Sequence, residues 1–193
     1  MYGLATALNC AGIIGSLKRD AAEVDRVASD LIELSTRHLF AQWLAAGQLF
    51  RGWARSASGQ TSDGISWIED GIRNYRATGA VLGLPFYLAL KAEALYLADR
   101  TSAALEALNE AEALAERFEQ SFWSAELHRL RGVFLAAMGA EETQIETSFC
   151  EAIRIAKEQK SVSLEKRAEA TYAEYRRQKA SGSGGRAIRL PLC

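Results

Sequence analysis

Arg129-Leu130-Arg131-Gly132-Val133-Phe134, followed by Gly139-Ala140, is the third appearance of one pattern. Forty residues earlier stands Ala89-Leu90-Lys91-Ala92-Glu93-Ala94, followed by Asp99-Arg100. Forty before that stands Leu49-Phe50-Arg51-Gly52-Trp53-Ala54, followed by Gly59-Gln60. Each stretch passes through a short turn into a second long segment, ending at Lys160, Phe118 and Thr78-Gly79 respectively. A recurring unit of this length is one supersecondary element that buries its apolar face by stacking on its neighbours.

The elements within the unit are helices. Over 122–138 the apolar residues Phe122, Trp123, Leu127, Leu130, Phe134 and Ala137 recur at steps of mostly three and four. Over 101–118 Ala104, Leu105, Leu108, Ala111, Leu114, Ala115 and Phe118 do the same. Ala, Leu, Glu and Arg dominate both stretches and are strong helix formers, and no segment sustains strand alternation. Thr61, Thr101 and Thr143 are expected as N-caps, Pro85 in the first turn of a helix, and Gly79 and Gly139 at left-handed helix ends. Upstream, 2–16 and 19–36 read as one more hairpin, and 161–179 as a lone helix with Leu164, Ala168, Thr171, Tyr172 and Tyr175 on one side. The expected fold is all-α: an array of antiparallel helical hairpins over 1–179, about four hairpins plus a terminal helix. Residues 180–193 form a Gly/Ser-rich tail, read as flexible and without structure. The terminal helix, with an apolar face and no partner, points to a cap, a homodimer contact or a truncated array.

Composition narrows the function. The chain has 193 residues, with Lys+Arg 23 against Asp+Glu 24, so it lacks the basic footprint of a nucleic-acid binder. It is 49% hydrophobic with two prolines, which argues against global disorder, and no apolar run is long enough to cross a membrane. Met1-Tyr2-Gly3-Leu4 carries no basic segment of a secretory signal, and Cys10, Cys150 and Cys193 are widely spaced; a cytoplasmic protein is expected, with Cys10 and Cys150 as buried thiols. With two histidines and three cysteines, no metal site is read, no cofactor is expected, and no nucleophile motif accompanies His128.

Arg51, Lys91 and Arg131 stand 40 residues apart, each followed by a small residue, Gly52, Ala92 or Gly132. In a stacked array such positions align, giving either a basic row for a carboxylate-bearing partner or ordinary solvated charge. The small residues allow close approach of paired helices. His128, between Glu126 and Arg129, is either a groove contact that titrates near neutrality or a packing residue. The candidate partner-binding residues are therefore Arg51, Lys91, His128 and Arg131. Trp43, Trp53, Trp67 and Trp123 are expected mainly in the core.

The hairpin period resembles tetratricopeptide-like repeats. It is similar to the degenerate repeat region of bacterial regulators that join a class III adenylate cyclase or DNA-binding domain to a signal-transduction ATPase. The resemblance lies in Arg51-Gly52-Trp53-Ala54, Gly64-Ile65, Gly71-Ile72, Tyr75-Arg76-Ala77-Thr78-Gly79-Ala80, Ala125-Glu126-Leu127-His128-Arg129-Leu130-Arg131-Gly132 and Ser163-Leu164-Glu165-Lys166-Arg167-Ala168. It implies a right-handed solenoid and a non-catalytic module that meets a protein or peptide partner or couples signals. No Gly-x-x-x-x-Gly-Lys-Ser/Thr stretch is present. The alternative is an array that senses a small-molecule inducer for a transcription activator.

Overall fold

The computed structural model of the chain describes residues 1–181 and 187–192. Among the described residues there are nine α-helices, one 3₁₀ turn and no strand. The helices are α1 (Tyr2–Leu17), α2 (Ala21–His38), α3 (Ala41–Ala57), α4 (Thr61–Ala77), α5 (Leu84–Leu97), α6 (Thr101–Arg117), α7 (Ser124–Met138), α8 (Glu142–Glu158) and α9 (Val162–Ala180). The chain divides into two compact units, Met1–Arg100 and Thr101–Cys193. Within each unit consecutive helices pack as hairpins, and odd-numbered helices also pack on the next odd one: α1 on α3, α3 on α5, α7 on α9.

A period of 20 residues runs through the helix ends. Left-handed backbone occurs at Arg19, Leu39, Gly59, Gly79, Asp99, Glu119, Gly139 and Lys160. Each reverses the chain after one helix, the last shifted by a single residue. Only three of these eight positions are glycine, the residue that takes this conformation without a steric penalty. Helices α5 and α7 start three residues late, after Gly83 in one case and after the 3₁₀ turn Ser121–Trp123 in the other. Phe122 is consequently exposed rather than part of the α7 core face. Pro85 opens α5 as expected.

Several local expectations are corrected. Thr61 and Thr101 are the first helical residues of α4 and α6, and Thr143 lies inside α8, so none is an N-cap. A side-chain cap is made instead by Asp20, which accepts from the Glu23 amide at 3.0 Å. Cys10 and Cys150 are exposed. Cys150 follows the buried Phe149 by one residue and so lies about 100° away around α8. Cys10 is on α1, whose buried positions are Ala5, Gly12, Gly15 and Ser16. A helix apolar all round gives no stripe from which its inward face can be read.

The core of the first unit is built from Val24, Val27 and Leu31 on α2, Leu49, Phe50 and Trp53 on α3, Ile65, Ile68 and Ile72 on α4, and nearly the whole of α5. In the second unit it is Leu108, Leu127, Leu130, Val133, Phe134, Phe149, Ala168 and Tyr175. Gly52 lets α3 touch α4, since a Cβ there would stand 2.6 Å from the Gly64 carbonyl oxygen. Gly132 does the same for the Phe149 ring on α8, at 2.7 Å. The small residues after Arg51 and Arg131 therefore act as expected.

The tail departs furthest from the sequence reading. Residues 182–186 and 193 lie outside the described residues. In 187–192, however, Ile188, Leu190 and Leu192 are buried while Ala187, Arg189 and Pro191 are exposed. That alternation is the signature of an extended chain with one face against a surface.

Candidate functional site

The odd helices carry a column of polar side chains that reach back to the preceding even helix. On α3, Arg51 Nε lies 3.7 Å from Asp25 Oδ1 of α2, and its Nη2 donates to the Ser29 hydroxyl. On α5, Lys91 Nζ is 3.3 Å from Glu69 Oε1 of α4. On α7, Arg131 Nε donates to Glu112 Oε1 of α6 at 2.9 Å, and Nη2 donates to Asn109 Oδ1 at 2.6 Å. On α9, Tyr172 donates its hydroxyl to Glu146 Oε1 of α8 at 3.1 Å. The first three sit 40 residues apart and the fourth 41 further on, following the shifted helix end. Arg51 and Lys91 belong to the first unit, and His128 and Arg131 to the second. Each of the three cations thus faces a carboxylate of its own chain, because the helix before it brings an acid to the same level. At half-buried sites such pairs contribute about 0.2–1 kcal/mol each. Within each unit these side chains join successive helices, and the acids Asp25 and Glu69 are about half exposed.

His128 stands one turn before Arg131 on α7 and is half-buried. It lines a cleft of about 310 Å³ with Glu112, Glu116, Glu119, Ser121 and Leu127. Burial pushes its imidazole below the ordinary value, while the carboxylates of Glu112 and Glu151 oppose that shift and Arg131 and Arg154 add to it. Of the tryptophans, Trp53 is in the core, and Trp67 lies under the guanidinium groups of Arg51 and Arg55 at 5.5 and 5.7 Å.

Two buried polar clusters lie in the odd-helix layers. In the first unit Glu93 of α5 accepts from Arg19, by Nη2 to Oε1 at 2.7 Å and by Nη1 to Oε2, and from Trp53 Nε1 at 2.7 Å. Arg19 comes from the α1–α2 turn and also covers the Trp53 ring at 5.8 Å. In the second unit Arg129 of α7 is fully buried and holds Glu126 by two bonds of 2.9 and 2.7 Å. From α9, Arg167 Nε stands 3.5 Å from Glu126 Oε1, and Thr171 Oγ1 accepts from Arg129 Nη1 at 3.3 Å. Arg167 Nη2 also donates to the carbonyl of Leu192 at 3.3 Å.

Trp53 is expected in the core and Thr171 on the apolar side of the last helix, whereas the burial of Glu93, Glu126 and Arg129 is not predicted, although a signal was present. Glu93 stands in the column of Trp53 and Val133, Glu126 in that of Ala46 and Phe86, and Arg129 in that of Leu49 and Ala89. A charge at a position that is apolar in the other repeats is a buried charge with a partner to be found. Among the described residues no group of three or more His, Cys, Asp or Glu side chains is placed to hold a metal ion, and no helix is long and apolar enough to cross a membrane.

Comparison with known proteins adds one relative. No protein-family model matches the chain, and no solved structure matches it. An uncharacterized protein of Rhizobium meliloti is 28% identical over 167 residues, which is 86% of this chain and 16% of that protein. The chain is therefore similar to about one sixth of a much longer bacterial polypeptide.

Proposed function

We propose that the chain is a non-catalytic, tetratricopeptide-like repeat module that makes protein–protein contacts or couples signals within a larger bacterial regulator. The observation that carries this reading is the column on the odd helices. At one register position after another, Arg51, Lys91, Arg131 and Tyr172 bind the helix before them. A scaffold whose recurring polar residues hold its own helices together presents surface, not a reaction centre. The similarity to a short part of a long bacterial protein supports a module that works beside other domains.

The alternative, a helical array that senses a small-molecule inducer, is favoured by the cleft beside His128, whose carboxylates and hydroxyl suit a polar or cationic compound. Thermal-shift measurements against sugars, amines and other metabolites separate the two readings. A compound at about 100 times its Kd stabilises by about 2.7 kcal/mol, which moves Tm by several degrees. The interaction module predicts no such shift, together with a stoichiometric crosslinked complex with a protein partner. A metabolite that raises Tm, with no protein partner recovered, overturns it in favour of the sensor.

A further inference from the structure

The second unit already holds a peptide, and the peptide is its own. Ile188 N–H donates to the Ala136 carbonyl near the end of α7 at 2.9 Å, and the Cα of Ala187 lies 3.9 Å from where a Cβ on Gly139 would be. Five residues on, the Leu192 carbonyl accepts from Arg167 in the second turn of α9, beside Glu126 in the first turn of α7. The segment therefore runs backward along the odd-helix layer from the end of α7 to its start. Thirteen helical residues from Glu126 to Gly139 rise about 20 Å, and six extended residues span at most about 20 Å. Residues 187–192 are long enough to make this run in an extended conformation. Pro191 helps by biasing Leu190 toward extended backbone and by having no N–H to satisfy. Ile188, Leu190 and Leu192 all face inward, with Leu190 only 1% exposed.

We infer that residues 187–192 are an intramolecular ligand, and that the α7–α9 face is a binding site for an extended segment with aliphatic side chains at alternate positions. The inference deepens the interaction-module reading and rests on it. Two polar contacts reach main-chain groups of the segment, Ala136 O an amide and Arg167 a carbonyl, and these favour an extended backbone. Three apolar positions set the sequence preference. Segment and site belong to one chain, so the binding is intramolecular and is governed by an effective concentration. A competing peptide in solution must overcome that concentration.

The test uses the full chain and a fluorescein-labelled peptide Ala-Ile-Arg-Leu-Pro-Leu, the sequence of 187–192. Leu190→Asp places a charge at the most buried tail position and is expected to release the tail with helical circular dichroism unchanged. The probe should bind the variant at least tenfold more tightly than the unmodified chain, and a probe carrying the same Leu-to-Asp change should bind neither. Hydrogen exchange of the unmodified chain supplies a readout that needs no variant. The Ile188 amide should exchange at least 100-fold more slowly than in the free peptide. An unprotected Ile188 amide, equal probe binding by both chains, or a protected amide with no probe binding by the variant overturns the inference. So does a concentration-dependent dimer that exchanges tails. A metabolite that raises Tm would overturn the interaction module while leaving the Ile188 protection intact, so the two readings fail separately.

Discussion

The two units share one register but bury charge in different ways. In Met1–Arg100 a single carboxylate, Glu93, serves donors from two other segments, Arg19 at the α1–α2 turn and Trp53 on α3. In Thr101–Cys193 the acid and its main cation, Glu126 and Arg129, are three residues apart on one helix, and α9 adds Arg167 and Thr171 around them. The first cluster ties helices together through one carboxylate that donors from two other segments share. The second is a pair that its own helix assembles and a neighbour reinforces. How much one buried charge matters therefore depends on how many partners remain when it is removed.

The largest effect follows from that difference. Glu93→Ala removes the acceptor of the buried Trp53 Nε1 and the carboxylate that Arg19 clasps, and should destabilise the chain by about 3–5 kcal/mol. Arg129→Met keeps the buried volume and leaves Glu126 beside Arg167, so the loss should be smaller, about 2 kcal/mol. Urea denaturation of the two variants measures both. Equal losses, or a larger one for Arg129→Met, would break the comparison.

Helix approach sharpens it at the next level. A methyl group at Gly52 meets backbone, the Gly64 carbonyl oxygen at 2.6 Å and the Ile68 amide nitrogen at 2.9 Å. At Gly132 the three nearest atoms all belong to the Phe149 ring, a side chain and not backbone. Gly52→Ala should therefore cost about 3 kcal/mol and Gly132→Ala about 1 kcal/mol, the two ends of the usual overpacking range. Chemical denaturation midpoints decide between them, and a Gly132→Ala loss that equals the Gly52→Ala loss would mean that α8 is as rigidly seated as α4.

The sequence made the helices, the 40-residue period and the close-packing glycines legible because each is a local pattern of residue size and polarity. The left-handed turns were legible only where glycine fills them. Gly79 and Gly139 announce themselves, whereas Arg19, Leu39, Asp99, Glu119 and Lys160 adopt the same conformation with ordinary side chains. The acids opposite Arg51, Lys91 and Arg131 were hidden for another reason. Asp25, Glu69 and Glu112 are 26, 22 and 19 residues upstream, so the pairing follows helix packing and not a fixed spacing. Ile188, Leu190 and Leu192 were overlooked because three alternating aliphatic residues after a Gly/Ser stretch carry no partner in the sequence; the α7–α9 face supplies it only after folding.

The non-glycine turns give a gain in place of a loss. Leu39 is left-handed and 88% exposed, so replacing it removes strain and almost no packing. Leu39→Gly should stabilise the first unit by about 0.5–1 kcal/mol, part of the left-handed penalty being offset by the wider freedom of an unfolded glycine. Lys160→Gly should do the same in the second unit, while Leu39→Ala should gain nothing. Thermal unfolding reads all three, and a gain from Leu39→Ala as large as that from Leu39→Gly would show that the exposed apolar side chain, and not the backbone, is the source.

His128 gives the smallest effect and the one with a sign to work out. Burial holds its folded-state imidazole below the ordinary 6.5, with Glu112 and Glu151 pulling the other way and Arg131 and Arg154 reinforcing the depression. As pH falls below 6.5 the unfolded chain takes up a proton that the folded chain resists, so the unfolded state is favoured. The residue's contribution is thus constant above 6.5 and turns increasingly unfavourable below it, until the pH passes the lower folded value. His128→Gln cannot titrate, so the unmodified chain should lose Tm relative to the variant between pH 7 and pH 5, with a slope below one proton, about 1.4 kcal/mol per pH unit. A relative gain for the unmodified chain in that range would mean that Glu112 and Glu151 outweigh burial, and that the cleft stabilises a cation.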